Sequence, residues 1–259
     1  MDARALARSL RLFTRDLRSH FVAGDLTRLA RLHKTDKWGA HRYTTHYQAM
    51  FESRRRRPMV VLEIGIGGYK DPHAGGASLR MWKHFFPRSL VAGIDLHEKI
   101  LPPDRRIRVF RGSQVDEPFL RRVVGELGGV DIVIDDGSHR NEHVIETFRI
   151  LFPLLRDGGI YAVEDTQTSY WPSMGGDSAD FSNPMTMMAF FKGLADGLNH
   201  AEWLRPGYRP GYNDLHVAGM HFFHNLVFVE KGDNGAPSNM VREGRLKDGV
   251  TQGLDTQDG

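Results

Sequence analysis

Acidic residues gather at the ends of two short apolar runs of this sequence. One run ends at Asp135 and is followed by Asp136, and another ends at Glu164 and is followed by Asp165. Clustered carboxylates repel one another unless a cation or protons lie between them. Oxygen ligands select a hard divalent ion such as Mg²⁺ or Mn²⁺ over zinc. We therefore predict a divalent metal site formed by Asp136, Glu164 and Asp165.

A histidine follows the first of these acid pairs. His139 lies three residues after Asp136. A neutral imidazole beside a hydroxyl whose pKa a metal lowers can take the proton of that hydroxyl. We predict that His139 is a general base, with His143 and His46 as weaker candidates. Adjacent residues of a strand point in opposite directions, so Asp135 in place of Asp136 as the metal ligand stays open, as does a helix-capping role.

A glycine loop follows the first apolar run, in the segment Glu63–Gly68. Glycine allows the backbone to approach a ligand closely, and ligands of open α/β sheets bind beyond the carboxyl ends of the strands. The dinucleotide fingerprint requires a third glycine where this chain has Lys70. The Glu-x-Gly-x-Gly pattern instead resembles class I methyltransferases, in which the loop accommodates the aminocarboxypropyl arm of S-adenosylmethionine.

Two further strand ends support a nucleotide-type cofactor. Asp95 ends the second run, and its carboxylate could accept hydrogen bonds from both ribose hydroxyls. Polar residues after the third run could read an adenine amine. We expect cofactor contacts from these strand ends, the glycine loop and the helix after it, at Glu63, Gly65, Gly67, Ser78, Asp95, Gln114 and Asp116.

Apolar runs and helical patterns alternate along the chain and must position these residues. The runs are Met59–Ile64, Leu90–Asp95, Ile107–Arg111, Asp131–Asp135 and Gly158–Glu164. Helical patterns cover Ser78–Phe86, Glu117–Gly125, Glu142–Leu155 and Pro184–Leu198, and another begins near His41. This alternation is typical of βαβ units with a parallel sheet. Val217–Phe222 and Leu226–Glu230 predict an antiparallel hairpin.

We expect an α/β protein with a Rossmann-like class I methyltransferase fold, a mostly parallel seven-stranded sheet and an antiparallel C-terminal hairpin. The predicted division is an N-terminal helical segment or cap (1–57), an S-adenosylmethionine-dependent methyltransferase domain (58–232) and a flexible C-terminal tail (233–259). Apolar residues at helical spacing, Leu6, Leu10, Phe13 and Leu17, predict an amphipathic helix that packs on the domain or on a second subunit.

Composition excludes several classes of function. The 259 residues include no cysteine, which excludes disulfides and thiolate metal ligands and fits a cytoplasmic location. The net charge of +3 is too small to indicate nucleic-acid binding. No apolar run reaches the roughly 18 residues of a membrane span, so we expect no membrane partner.

Several motifs together resemble the metal-dependent sugar O-methyltransferases of antibiotic pathways, which include macrolide deoxysugar and rhamnose enzymes. The resemblance covers about residues 33–232 and rests on Thr35–Gly39, His41–Tyr47, Leu62–Gly68, Gly75–Trp82, Ile134–His139, Val163–Thr166 and Phe222–Phe228. It implies S-adenosylmethionine as methyl donor, Mg²⁺ on Asp136, Glu164 and Asp165, chelation of that ion by vicinal sugar hydroxyls, and His139 as base.

The implied partner is a glycosylated small molecule, and we expect a homo-oligomer. Some macrolide members carry an additional N-terminal domain, for which we expect 259 residues to leave no room. Three alternatives stay open: methylation of a catechol-like phenol, a non-catalytic S-adenosylmethionine-binding protein, and an iron oxygenase of the cephalosporin-hydroxylase type. The last requires two histidines with a carboxylate, and only His139 accompanies the acids.

Overall fold

The computed structural model describes residues 3–247, with side chains from Phe13 onward. A seven-stranded sheet forms the centre of the protein. Its strands are β1 (Val60–Ile64), β2 (Leu90–Asp95), β3 (Ile107–Arg111), β4 (Val130–Asp135), β5 (Leu155–Glu164), β6 (Val217–Phe223) and β7 (Leu226–Lys231). They lie in the order β3-β2-β1-β4-β5-β7-β6. β1 to β5 pair in parallel, and β7 is antiparallel to both of its neighbours. The predicted fold class is confirmed.

Helices cover both faces of this sheet. They are α1 (Ala3–Val22), α2 (Leu26–His33), α3 (Thr44–Phe51), α4 (Ala77–Phe85), α5 (Glu117–Leu127), α6 (Asn141–Leu154), α7 (Met187–Gly197) and α8 (Tyr212–His216). Strand alternation divides the core into two layers. Leu62 and Ile64 pack with α5, α6 and α7 on one face. Val61 packs with α2, α3 and α4 on the other face.

The N-terminal helices form part of the core. Tyr47 and Phe51 of α3 and Leu29 of α2 are fully buried against Trp82 of α4 and the sheet. The helix predicted near His41 begins at Thr44. On α1, Phe13 and Leu17 are mostly exposed, whereas the side chains of Leu6 and Leu10 lie outside the described part of the chain.

The region after β7 contains a short pair of strands, β8 (Val241–Arg242) and β9 (Arg245–Leu246), which are antiparallel. The predicted flexible tail begins before this pair, and its last residues, 248–259, lie outside the described part of the chain. Within residues 3–247, none of the helices combines the length and the apolar character that crossing a bilayer would demand.

Candidate active site

Two adjoining cavities of about 350 Å³ and 300 Å³ lie beyond the carboxyl ends of the parallel strands. Gly65, Gly67 and Asp136 border both of them. We call the two together the strand-end cleft. A larger depression of about 670 Å³ lies beside α7 and is bordered by Trp203. We place the site in the strand-end cleft because the loops of four neighbouring strands converge there, as ligand sites of open α/β sheets require.

The glycine loop lies directly against the loop that follows β4 and begins at Asp136. We call this second segment the acid loop. Gly65 has a φ of +78°, and a Cβ atom at this position would lie 2.0 Å from the backbone oxygen of Asp136. Gly67 also has a positive φ, of +71°, but has open space where a Cβ would lie. Position 65 therefore requires glycine for two reasons, the positive φ and the close backbone contact. At position 67 only the positive φ favours glycine.

Asp95 and Gln114 border the cleft, as the cofactor prediction requires. The Asp95 carboxylate accepts from the backbone N–H of His97 at 2.8 Å and lies 3.4 Å from that of Ile66. Gln114 is buried, and its Oε1 accepts from the N–H of Ser138 at 2.8 Å. These bonds tie the ends of β2 and β3 to the glycine and acid loops, so the cleft is pre-formed.

Asp116 caps a helix in this structure, and its predicted cofactor contact stays a prediction. Its side chain is exposed, and it accepts from the backbone N–H of Phe119 at 3.0 Å as the N-cap of α5. It is not among the residues that border the strand-end cleft. An acid that precedes Glu117 and Pro118 at a helix start is a capping signal, which accounts for this placement.

Glu63 lies behind the glycine loop rather than at the cleft surface. Its carboxylate is fully buried and accepts from Ser78 Oγ at 2.6 Å and from Trp82 Nε1 at 3.3 Å. Burial raises its pKa, although the charge of Lys37 opposes this shift. Strand alternation sends Glu63 to the face covered by α4. Ser78 borders the cleft, so its direct contact with the cofactor stays a prediction. The buried position of Glu63 does not favour a direct contact between Glu63 and the cofactor.

Asp136, His139 and Asp165 meet at the rim of the cleft. One ligand atom from each side chain lies within 4.8 Å of the others. His139 Nε2 is 3.8 Å from Asp136 Oδ1 and 3.5 Å from Asp165 Oδ2. Both His139 and Asp165 have a φ of +54°, a conformation that costs a non-glycine residue about 1–3 kcal/mol. Two strained residues that face each other indicate a functional arrangement of the backbone.

A buried lysine contacts three carboxylates behind this rim. Lys37 is fully buried, and its Nζ donates to Asp136 Oδ2 at 2.8 Å and to Glu164 Oε1 at 2.7 Å. Glu63 Oε1 lies 3.2 Å away. Burial alone would lower the pKa of Lys37, but the charges of Asp136, Glu164 and Glu63 outweigh burial and hold it well above its usual value. Lys37 therefore carries a positive charge. Its ammonium group joins β1, through Glu63, to the ends of β4 and β5, through Asp136 and Glu164.

Glu164 and Asp165 are each held by a tyrosine. Tyr47 Oη donates to Glu164 Oε1 at 2.7 Å, and Tyr43 Oη donates to Asp165 Oδ1 at 2.6 Å. Burial raises the pKa of Glu164 well above its usual value, and the charge of Asp136 adds to this shift. Burial likewise raises the pKa of Asp136, although Lys37 opposes it. A further cation at the rim would relieve this repulsion.

Asp135 points away from the cleft. It is 1% exposed, and its carboxylate accepts from Tyr161 Oη at 3.0 Å on the face covered by α5 and α6. Burial raises the pKa of Asp135 to about 7. Asp136 is the member of the pair that borders the cleft, as strand alternation allowed.

Four residues of the N-terminal segment contact the acids of the site, and the sequence did not predict these contacts. Lys37, His41, Tyr43 and Tyr47 all lie in the motifs that carried the family resemblance, but they received no role there. His41 Nε2 lies 3.7 Å from Asp165 Oδ1 and stacks on Tyr43. Of the weaker base candidates, His143 borders the cleft, whereas His46 stacks on Phe223.

The chain is similar in sequence to several known O-methyltransferases. No family model matches the chain. It is 48% identical over 224 residues to the demethylmacrocin O-methyltransferase of Streptomyces fradiae, covering 85% of this chain and 57% of that protein. It is 46% identical to the 8-demethyl-8-α-L-rhamnosyl tetracenomycin-C 2'-O-methyltransferase of Streptomyces olivaceus, covering 84% of this chain and 57% of that protein.

A solved structure extends the likeness to three dimensions. It is the MycE methyltransferase of the mycinamycin biosynthetic pathway, in complex with Mg and SAH, with a TM-score of 0.81 and 41% identity. The match covers 91% of this chain and 60% of that chain. The predicted resemblance to antibiotic sugar O-methyltransferases is confirmed. The chain spans less than two thirds of the length of these relatives.

Proposed function

We propose that this chain carries the catalytic site of an S-adenosylmethionine- and Mg²⁺-dependent O-methyltransferase that acts on a sugar hydroxyl of a glycosylated natural product. One observation carries the proposal: Asp136, His139 and Asp165 converge at the rim of a cleft that the glycine loop also borders. A candidate metal-binding acid set, a candidate base and a candidate cofactor cleft thus adjoin. The names of the relatives support the substrate class.

The donor set fits a hard divalent cation. Asp136 and Asp165 each present an oxygen toward the rim, and Glu164 lies beside them with one oxygen already held by Lys37 and Tyr47. Carboxylates whose pKa values are raised by burial and mutual repulsion gain from an added positive charge. We assign Asp136, Glu164 and Asp165 as the residues that would hold Mg²⁺, with Mn²⁺ as a chemical equivalent.

The cleft also fits the methyl donor. Gly65 and Gly67 leave the loop backbone open to the aminocarboxypropyl arm, and Asp95 presents acceptor oxygens suited to ribose hydroxyls. Gln114 lies at the next strand end, where a base edge would be read. Glu63 would act through the loop by holding Ser78, whose Oγ is 2.6 Å from its carboxylate.

The reaction assigns a proton and a methyl group to defined atoms. The hydroxyl oxygen of the sugar forms a bond to the methyl carbon as the bond from that carbon to sulfur breaks. The electron pair stays on sulfur, and S-adenosylhomocysteine leaves. The hydroxyl proton passes to Nε2 of His139, which lies 3.8 Å from Asp136 Oδ1 and 3.5 Å from Asp165 Oδ2, at the edge of the acid set that would hold the metal. The chemistry that Mg²⁺ supplies when bound is a lowered hydroxyl pKa.

Cofactor binding is tested with two matched substitutions, Asp95→Asn and Asp116→Asn. Both remove one charge, but only Asp95 borders the cleft. Calorimetric titration with S-adenosylmethionine should give a roughly ten- to hundredfold weaker affinity for Asp95→Asn, the equivalent of lost charge-assisted hydrogen bonds. Asp116→Asn should bind like the wild type. Equal affinities of the two variants would contradict the assigned cleft.

The acceptor class is tested with a panel of glycosides that bear vicinal hydroxyls, together with catechols as the competing class. The proposal expects methyl transfer to glycosides and little to catechols. Preferential methylation of catechols would replace the sugar assignment with a phenol, since both present adjacent oxygens. Binding of S-adenosylmethionine without transfer to any acceptor would favour a non-catalytic protein.

Assembly and location complete the proposal. We infer a cytoplasmic homo-oligomer that takes a small glycoside and neither nucleic acid nor membrane as its partner. Exposed aromatic side chains on α1, Phe13 at 67% and Phe21 at 85%, support a second copy as the cover of this helix. Sedimentation of the full chain tests this, and a monomer at micromolar concentration would contradict it.

A further inference from the structure

We propose that a cavity behind the glycine loop, between α1 and the start of α4, binds a small oxyanion such as inorganic phosphate. The cavity measures about 70 Å³ and is bordered by Arg15, His33, Gly75, Ala77, Arg80 and Leu101. We call it the Arg80 pocket. It is distinct from the strand-end cleft, although Gly75 and Ala77 border both.

Arg80 is the strongest indication of a missing anion. The residue is 7% exposed, and its Nη2 is buried without a hydrogen-bond partner among the described residues. Its other terminal nitrogen, Nη1, lies 4.0 Å from Asp16 Oδ2. A buried guanidinium donor without a partner loses its hydration and gains nothing in return. An oxyanion in the adjacent pocket would supply the acceptor.

The nearby carboxylates do not supply that acceptor because Lys83 engages them. Lys83 Nζ lies 2.9 Å from Asp16 Oδ2 and 2.8 Å from Asp104 Oδ2. His84 contacts the other oxygen of Asp16 at 3.1 Å. Arg15 also borders the pocket, and no carboxylate within residues 13–247 lies within 4.0 Å of its guanidinium. The pocket is therefore left with two arginines and no dedicated anion.

The backbone adds to this positive environment. Ala77 is the first residue of α4, a nine-residue helix whose N-cap, Gly76, has no side chain to bond the free N–H groups. The N-terminus of a helix carries a partial positive charge and attracts anions. Two arginines and a helix start around a cavity of this size favour a single tetrahedral or carboxylate-type anion. Arg80 lies in the Gly75–Trp82 motif, and the proposed function gives a role to Ser78 of this motif but none to Arg80.

The probe is inorganic phosphate, titrated calorimetrically into the full chain at low ionic strength without added Mg²⁺. The test variants are Arg15→Gln and Arg80→Gln, and the control is Arg18→Gln, which removes the same charge from an exposed position of α1. Wild type and Arg18→Gln should bind phosphate, whereas Arg15→Gln and Arg80→Gln should bind at least about tenfold more weakly. Arg15 is half-buried, so its variant keeps the test decisive if Arg80→Gln fails to fold.

Three results would overturn the proposal. Wild-type protein could give no binding heat at millimolar phosphate, or Arg15→Gln could bind like Arg18→Gln. Saturating S-adenosylhomocysteine could also displace the phosphate, which would assign the anion to the strand-end cleft. The proposal expects the phosphate affinity to stay within about twofold when the adenosyl ligand is bound, since the two cavities are separate. These outcomes are independent of methyl transfer.

Discussion

Replacing Lys37 by methionine tests how the buried acids are held. The Lys37 ammonium lies within 3.2 Å of Asp136, Glu164 and Glu63, and its side chain is fully buried. Methionine has a similar length but no charge, so the variant leaves three carboxyl groups without this cation. Removal of one partner of a buried ion pair costs about 3–5 kcal/mol. We expect a loss of that size in the free energy of unfolding of Lys37→Met.

Urea denaturation in EDTA measures this loss, and Lys34→Met is the matched control. Lys34 is exposed three residues earlier, and its substitution should change the free energy of unfolding by less than about 0.5 kcal/mol. Mg²⁺ at about 100 times its dissociation constant should return about 2.7 kcal/mol by mass action if the acids bind it. A loss below about 1 kcal/mol for Lys37→Met in EDTA would refute the assigned role of the lysine.

Three further predictions concern the base, the glycine loop and a buried histidine. His139→Ala should lower turnover by about 10²–10⁴-fold in a methyl-transfer assay, with S-adenosylmethionine affinity unchanged in a calorimetric titration. Gly65→Ala should abolish cofactor binding in that titration, because a Cβ at position 65 would meet the backbone of Asp136. Gly67→Ala meets no such contact, so it should still fold and lose only about 1–2 kcal/mol in the free energy of unfolding, measured by urea denaturation. Burial lowers the pKa of His33 from 6.5 to about 3. As the pH falls below 6.5, His33 therefore becomes protonated in the unfolded chain but not in the folded protein. The free energy of unfolding then decreases until the pH reaches about 3. Urea denaturation should therefore show wild type losing about 2 kcal/mol more than His33→Gln between pH 7 and 5.

Each of these predictions has an outcome that would count against it. Normal turnover of His139→Ala would transfer the base role to another residue, with His143 the nearest candidate in the cleft. Equal cofactor affinities of the two glycine variants would mean that the contact between Gly65 and Asp136 is unimportant. Parallel pH profiles for wild type and His33→Gln would show that His33 becomes protonated in the folded protein as readily as in the unfolded chain.

The sheet could be predicted from sequence because its strands are short, buried and rich in branched residues. The bounds of β2 and β3 coincide with the predicted runs Leu90–Asp95 and Ile107–Arg111. The hairpin of β6 and β7 was also predictable, since only His224 and Asn225 separate two apolar runs. β5 begins at Leu155, three residues before the predicted start, because pairing with β4 extends to Val130 through a register shift.

The acids at the strand ends could be predicted from sequence. The residues of the N-terminal segment that hydrogen-bond to these acids could not. Asp136 and Asp165 follow strands, and parallel strands bring their ends together. Lys37 reaches Glu164 across 127 positions of the chain, and no local periodicity indicates such a contact. The sequence itself also held two signals about where Glu63 and Asp116 lie. Strand alternation places Glu63 opposite Leu62 and Ile64, and the Asp-Glu-Pro order marks Asp116 as a helix cap.

The most direct test of the central claim is methyl transfer from labelled S-adenosylmethionine to a glycoside with vicinal hydroxyls, measured with Mg²⁺ and with EDTA. We expect transfer in Mg²⁺, loss of transfer in EDTA, and a similar loss for Asp136→Asn in Mg²⁺. Full transfer in EDTA, with Asp136→Asn as active as the wild type, would contradict a metal-assisted reaction at this cleft.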